Sequence, residues 1–189
     1  MANTALNVST GKPRVTGGIY RAPIGTTLPT DASTALGNAF VSLGYIATNG
    51  VTQSSEIDSG EYKAWGGDVV LAYVNGKTYR FAFGMIEILN AEVYKTLHGT
   101  ANVTGTLATG LTIKANGKDT IEWVYVIELA LRDGALARIV IPDGKITEMG
   151  DTSYHDDDAV VYPVTITCQA DDEGVPYYEY IVKAANSGT

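Results

Sequence analysis

Between Thr78 and Met85 the chain alternates strictly: Tyr79, Phe81, Phe83 and Met85 fall on one parity, and Thr78, Arg80, Ala82 and Gly84 on the other. Side chains repeat with period two only along a β-strand, so this stretch has one apolar and one small or polar face. A second stretch behaves alike. Ile121, Trp123, Tyr125, Ile127, Leu129 and Leu131 oppose Thr120, Glu122, Val124, Val126, Glu128 and Ala130. One-sided alternation belongs to antiparallel sheets that pack one face on a core. The polar face is free to meet water.

Turn signals divide the rest into short strands. Asn75-Gly76 predicts a type I′ hairpin joining 69–74 to 77–89. Asp133-Gly134 leads into a strand at 135–141, and Pro142-Asp143-Gly144 turns the chain again into 145–149. Strands at 160–168 and 177–183 flank the acidic turn Asp171-Asp172-Glu173-Gly174. The 21 glycines, and 12 tyrosines against 3 phenylalanines, suit many tight turns and half-buried rings. The expected fold is mainly β: a two-sheet antiparallel β-sandwich or half-barrel with one or two short flanking helices.

Two helices are expected. The first starts at Asp31 or Ser33, carries Leu36, Phe40 and Leu43 on one face and stops at Gly44. The second has Asn90 as N-cap, Glu92 in its first turn, Val93 and Leu97 on its buried face and Gly99 after its end. Residues 1–18 are expected as an N-terminal arm, 19–182 as one β-domain and 183–189 as a C-terminal arm. Within the domain, 47–68 is expected as a long polar loop that holds Tyr62 and Trp65.

Function classes narrow by chemistry. The chain lacks a Gly-x-Ser-x-Gly elbow, a phosphate-binding loop and a His-Glu-x-x-His motif, so no enzyme class is expected. His98 is expected in the last turn of the second helix, where a cation meets the negative dipole end. The run His155-Asp156-Asp157-Asp158 cannot alone surround a hard cation, and a solvated acidic loop is expected, with no metal or cofactor. A lone cysteine, Cys168, excludes an intrachain disulfide. No signal peptide or membrane span is expected. The net charge of −8, with 13 scattered Lys and Arg, supplies no basic footprint for gripping nucleic acid. Trp65 on its glycine-rich loop is a candidate sugar platform, a protein anchor or a ring buried beneath its own loop.

The ordered motifs add a resemblance. The run from Ala22-Pro23-Ile24-Gly25 through Thr30-Asp31, followed by Phe40 and Leu43-Gly44-Tyr45-Ile46, resembles the N-terminal signature of siphophage major tail tube proteins. Trp65-Gly66-Gly67-Asp68, Ile86-Glu87-Ile88-Leu89-Asn90, Val93-Tyr94-Lys95, Arg138-Ile139-Val140-Ile141-Pro142 and Tyr162-Pro163-Val164-Thr165 are similar to later motifs of that lambda-like family. His98 stands where an aromatic is expected. The resemblance implies the tail tube fold shared with type VI secretion tubes, with subunits in stacked, commonly hexameric rings. It implies as partners other copies of the chain, tape-measure protein, tail terminator and tip proteins, and passing double-stranded DNA. It implies a virion protein made and assembled in the host cytoplasm. On this reading Tyr62, Trp65 and Asp68 contact neighbouring subunits, Glu122, Glu128 and Glu148 face the lumen, and the arms order on stacking. The competing reading is a non-polymerising β-sandwich binding module, such as a carbohydrate-binding or adhesin domain.

Overall fold

The computed structural model describes residues 4–14, 17–118 and 121–183. Along the chain come β1 (Lys12–Pro13), β2 (Ile19–Pro23), β3 (Val41–Ser42), and the long strands β4 (Ile46–Lys63) and β5 (Val69–Met85). Helix α1 (Ala91–His98) precedes the small hairpin of β6 (Val103–Thr106) and β7 (Gly110–Ile113). The chain ends in β8 (Glu122–Ala130), β9 (Leu136–Met149), β10 (Tyr162–Gln169) and β11 (Tyr178–Val182). The mainly-β antiparallel class expected from the sequence is the class observed, in two unequal sheets. The large one has nine strands in the order β3-β2-β8-β9-β10-β5-β4, with β1 beside β8 and β11 beside β9. The second holds only β6 and β7.

The predicted alternation builds the core. Phe81, Phe83 and Met85 from β5 meet Val164 and Ile166 from β10, and Tyr125 and Ile127 from β8. Val93 and Leu97 of α1 pack on the same cluster. The helix starts as expected: the Asn90 side chain accepts from Glu92 N–H at 3.0 Å, and Gly99 follows at φ 84°. The acidic turn also forms, with Gly174 N–H donating to the Asp171 carbonyl at 2.9 Å and Gly174 at φ 79°.

Pro142-Asp143-Gly144 does not turn the chain; it lies within the continuous strand β9. Gly144 is needed for space. A Cβ there would stand 2.7 Å from the Tyr125 ring and 2.9 Å from Ile166. The expected helix near 31–43 is also absent. Asp31 Oδ1 does accept from Ser33 N–H and Thr34 N–H, both at 2.6 Å, as an N-cap would. The Thr34 side chain, then these backbone N–H groups, hold the Asp31 carboxyl well below its ordinary pKa. Yet the Arg138 guanidinium donates to the carbonyls of Asp31 and Thr34, each at 2.7 Å, and so takes the acceptors a first helical turn would use.

Arg138 is 1% exposed and Glu128 3%. The two are paired through Oε1 of Glu128, which also accepts from Arg14 at 2.9 Å. One carboxylate thus ties β8 to β9, to the segment after β1 and, through Arg138, to the 31–34 turn. The expected N-terminal arm therefore lies partly against the domain: Lys12 pairs with Ala130 and Pro13 with Leu129. Residues 1–3, 15–16, 119–120 and 184–189 lie outside the described residues, and with them Thr120 and all of the expected C-terminal arm except Lys183. Removing one partner of a buried pair leaves the other charge uncompensated. Glu128→Ala is expected to lower unfolding free energy by about 3–5 kcal/mol, measured by urea denaturation.

Candidate assembly surface

β10 pairs with β5 only from Arg80 to Met85. Nearer its start β5 has β4 alone as ladder partner among the described residues, and β4 has β5 alone along its whole length. The pair therefore continues from Ser54 and Arg80 out to Lys63 and Val69 as a two-stranded ribbon. The segment expected as loop 47–68 is mostly strand. Asn75-Gly76, expected as a hairpin turn, is internal to β5, at an irregularity where Asp58 opposes Gly76 and Ser59 opposes Val74. Gly76 is not among the glycines at positive φ, whereas a type I′ turn needs φ > 0 at both central residues. The real turn is at 64–68. Ala64 N–H donates to the Asp68 carbonyl at 2.8 Å, Gly67 N–H to the Ala64 carbonyl at 2.9 Å, and Gly67 takes φ 94°.

Apolar side chains occupy both faces of this ribbon. Directly paired residues share a face. Tyr62 opposes Leu71 and Gly60 opposes Tyr73; the two tyrosine rings lie 5.6 Å apart, with the Tyr73 hydroxyl over Gly60. The other face carries Val74 opposite Ser59 and Ile57 opposite Lys77. Leu71, Val74 and Ile57 are all more than half exposed, and Trp65 at the turn is fully exposed. The ion pairs Glu56–Arg80 and Glu61–Lys63 lie in solvent and stabilise little. At the far end of the strand pair from the turn, Glu87 fixes where β4 begins. Its carboxylate accepts from Tyr45 N–H at 2.9 Å and Asn90 Nδ2 at 3.1 Å. It lies so close to Gly44, at φ 77°, that a Cβ there would clash.

A second surface is hydrophilic. Cross-strand pairing sets one row of Glu122, Lys145, Thr167, Arg80 and Ser54, and another of Glu148, Thr165, Ala82 and Thr52. Partners hold most of its charges. Gln169 Nε2 donates to Glu122 at 3.2 Å and Asp143 at 3.4 Å, Lys145 Nζ lies 3.7 Å from Glu122, and Thr147 and Thr167 hydroxyls meet at 2.8 Å. Burial, then the nearby Glu122, raise the Asp143 pKa against the pull of Lys145.

A sequence profile described as phage tail tube protein matches residues 5–189. The chain belongs to that family. Among solved structures, the tube-terminating cap of the anti-feeding prophage is similar at 12% identity, with a TM-score of 0.48, covering 96% of this chain and 100% of the cap. No curated protein matches the sequence at a significant level.

The tail tube protein is thus a structural virion component, and the carbohydrate-binding or adhesin reading is not favoured. Of the residues singled out in the sequence, Tyr62, Trp65 and Asp68 cluster at the ribbon's end, and the exposure of Trp65 excludes a ring buried under its own loop. Glu122 and Glu148 stand on the hydrophilic surface. Glu128 does not: it is buried between Arg14 and Arg138, and an alternating pattern alone cannot tell a solvated carboxylate from a buried, paired one. His98 ends α1 as expected, but burial lowers its pKa and so opposes the cation that the helix dipole favours. Residues 155–158 are exposed, and no group of three or more His, Cys, Asp or Glu side chains among the described residues is placed to hold a metal. Burial pushes the Cys168 thiol up to about 12. Sequence reasoning missed the apolar ribbon residues Ile57, Val69, Val70, Leu71 and Val74. The available signal is the β-branched run at 69–74, which fits a hairpin of 69–74 with 77–89 equally well.

Proposed function

We propose that this protein self-associates into closed rings, commonly of six subunits, that stack into the hollow tube of a long, non-contractile siphophage tail. The tube encloses the tape-measure protein and later conducts double-stranded DNA, and terminator and tip proteins cap its ends. Subunits assemble in the host cytoplasm and become part of the virion.

The observation that carries this reading is the ribbon formed by the outer parts of β4 and β5. An isolated two-stranded ribbon is marginal in water, and this one exposes apolar residues on both faces and backbone along both edges. Neighbouring copies supply what it lacks, with Tyr62, Trp65 and Asp68 in the contact. Ring closure satisfies sheet edges without leaving a template open to other chains. The arms at 1–18 and 183–189 add contacts on stacking.

The hydrophilic rows containing Glu122 and Glu148 supply the lumen wall. Hydroxyls, an amide and paired charges give DNA phosphates no cationic footprint, and the unpaired carboxylates repel them. The chain's net charge of −8 acts in the same direction.

Trp65→Ala is expected to leave the far-UV circular dichroism of the subunit unchanged and to cut tube yield at least tenfold, counted by negative-stain microscopy of concentrated protein. Unchanged yield contradicts the role given to the ribbon's end. Glu148→Lys is expected to leave tube formation intact and to slow DNA delivery in an infection assay. Equal delivery removes Glu148 from the lumen.

A further inference from the structure

β10 runs beside β5 as far as the Thr167–Arg80 pair and then leaves it, staying with β9 to Gln169. The chain next makes the acidic turn at 171–174 and returns as β11, whose first residue, Tyr178, pairs with Val140 of β9. The return is tightly held. Asp171 Oδ1 accepts from Glu173 N–H at 3.0 Å and Val175 N–H at 2.9 Å, while Oδ2 accepts from the Tyr178 hydroxyl at 2.7 Å. Pro176 fixes its own φ and disfavours the helical region for Val175. Tyr177 therefore sits on a bracket anchored at both ends in the body.

From that bracket Tyr177 reaches both strands of the ribbon where β10 gives out. Its ring meets Tyr79 edge-on at 5.3 Å and Phe81 at 5.4 Å, with interplanar angles of 72° and 83°. Its hydroxyl accepts from Gln53 Nε2 at 2.8 Å. Gln53 opposes Phe81 and Ser55 opposes Tyr79, so one side chain holds β4 and β5 on a shared face. Edge-to-face ring pairs prefer a defined geometry, which plain aliphatic contact does not impose.

We infer that Tyr177 is a positioning residue for the ribbon. It fixes the direction in which the outer parts of β4 and β5 leave the sheet, and so presents them in one orientation before another copy is met. Backbone pairing alone does not fix that direction, because two-stranded ribbons twist more strongly than wide sheets and are marginal by themselves. The lever is long. Val69 lies eleven residues before Arg80, about 36 Å at roughly 3.3 Å per residue, so a tilt of about 15° at the base carries the far end about 9 Å. Orientation already fixed in the free subunit is an ordering cost that assembly no longer bears. This part in assembly rests on the tube reading above; the brace itself belongs to the single subunit.

The test uses the full chain with Cys168→Ala and spin labels on Gly66→Cys at the turn and Glu179→Cys on β11, both exposed positions. Double electron–electron resonance on the free subunit reads the distance between them. One narrow distribution is expected for the parent and for Tyr177→Phe, which keeps the ring contacts and loses only the hydrogen bond. Tyr177→Ala is expected to widen the distribution at least twofold and to leave the far-UV circular dichroism unchanged. An equally narrow distribution in Tyr177→Ala overturns the brace. Should the alanine variant not fold, Tyr177→Leu carries the same expectation, since it keeps apolar bulk without the ring geometry. In assembly, Tyr177→Ala is expected to lengthen the lag before tube growth at least fivefold, with Tyr177→Phe near the parent and tube width unchanged. A widened distribution with an unchanged lag keeps the brace and overturns its part in assembly. A parent that forms no tubes overturns the tube reading, and the distance measurement still decides the brace.

Discussion

A backbone amide or carbonyl needs a partner, and an apolar side chain gains by leaving water. In the core of this protein both demands are met within one chain. Along the outer parts of β4 and β5 neither is. Those strands hydrogen-bond to each other, and their remaining edges and both faces meet solvent. The rest of the molecule can be understood as the support for that deficit. The nine-stranded sheet holds the ribbon's base in register, the core of Phe81, Phe83 and Met85 grips the inner end of β5, and Glu87 sets where β4 begins. Self-association then follows from incompleteness, and the tail tube family is where such incompleteness has a use.

The body is made rigid by two different means. On the core face, apolar residues from β5, β8, β9 and β10 meet α1, and buried Arg21 of β2 pairs with Glu92 of the helix at 2.6 Å while lying over the Trp123 ring. On the reverse of β8 and β9, Glu128 collects Arg14 and Arg138, and Arg138 binds the carbonyls of the 31–34 turn. Apolar burial supplies the stability there; the ionic cluster fixes which segments lie together. A hydrophilic face remains on the β9-β10-β5 part of the sheet, and its charges are largely neutralised by lateral partners.

Much of this was legible in the residues. The alternation around Phe81, the Asn90 cap and the acidic turn at Asp171 depend on local rules, and each is found where those rules place it, whereas β8 around Trp123 is buried on both faces, Val124 and Val126 included. The failures share a cause. Asn75-Gly76 and Pro142-Asp143-Gly144 carry turn chemistry, but partner strands long enough to pair on both sides of them keep the chain extended. Asp31 carries cap chemistry, and Arg138, more than a hundred residues away, removes the carbonyls a helix would use. Glu128 has the parity of a solvated residue and the surroundings of a buried one. Each outcome is decided by a distant segment, which local pattern cannot see. Trp65 stood out as an unusual residue in the sequence, whereas the apolar ribbon around it became evident only with the pairing of β4 to β5.

The central claim is that residues 54–79 are unsupported in one subunit and covered in the assembly. Amide hydrogen exchange of the free protein and of assembled tubes tests it most directly. The account predicts fast exchange over that segment in the free subunit and at least a hundredfold slowing in tubes, with the amides of β8 and β10 protected in both. Equal exchange over 54–79 in the two states would contradict it.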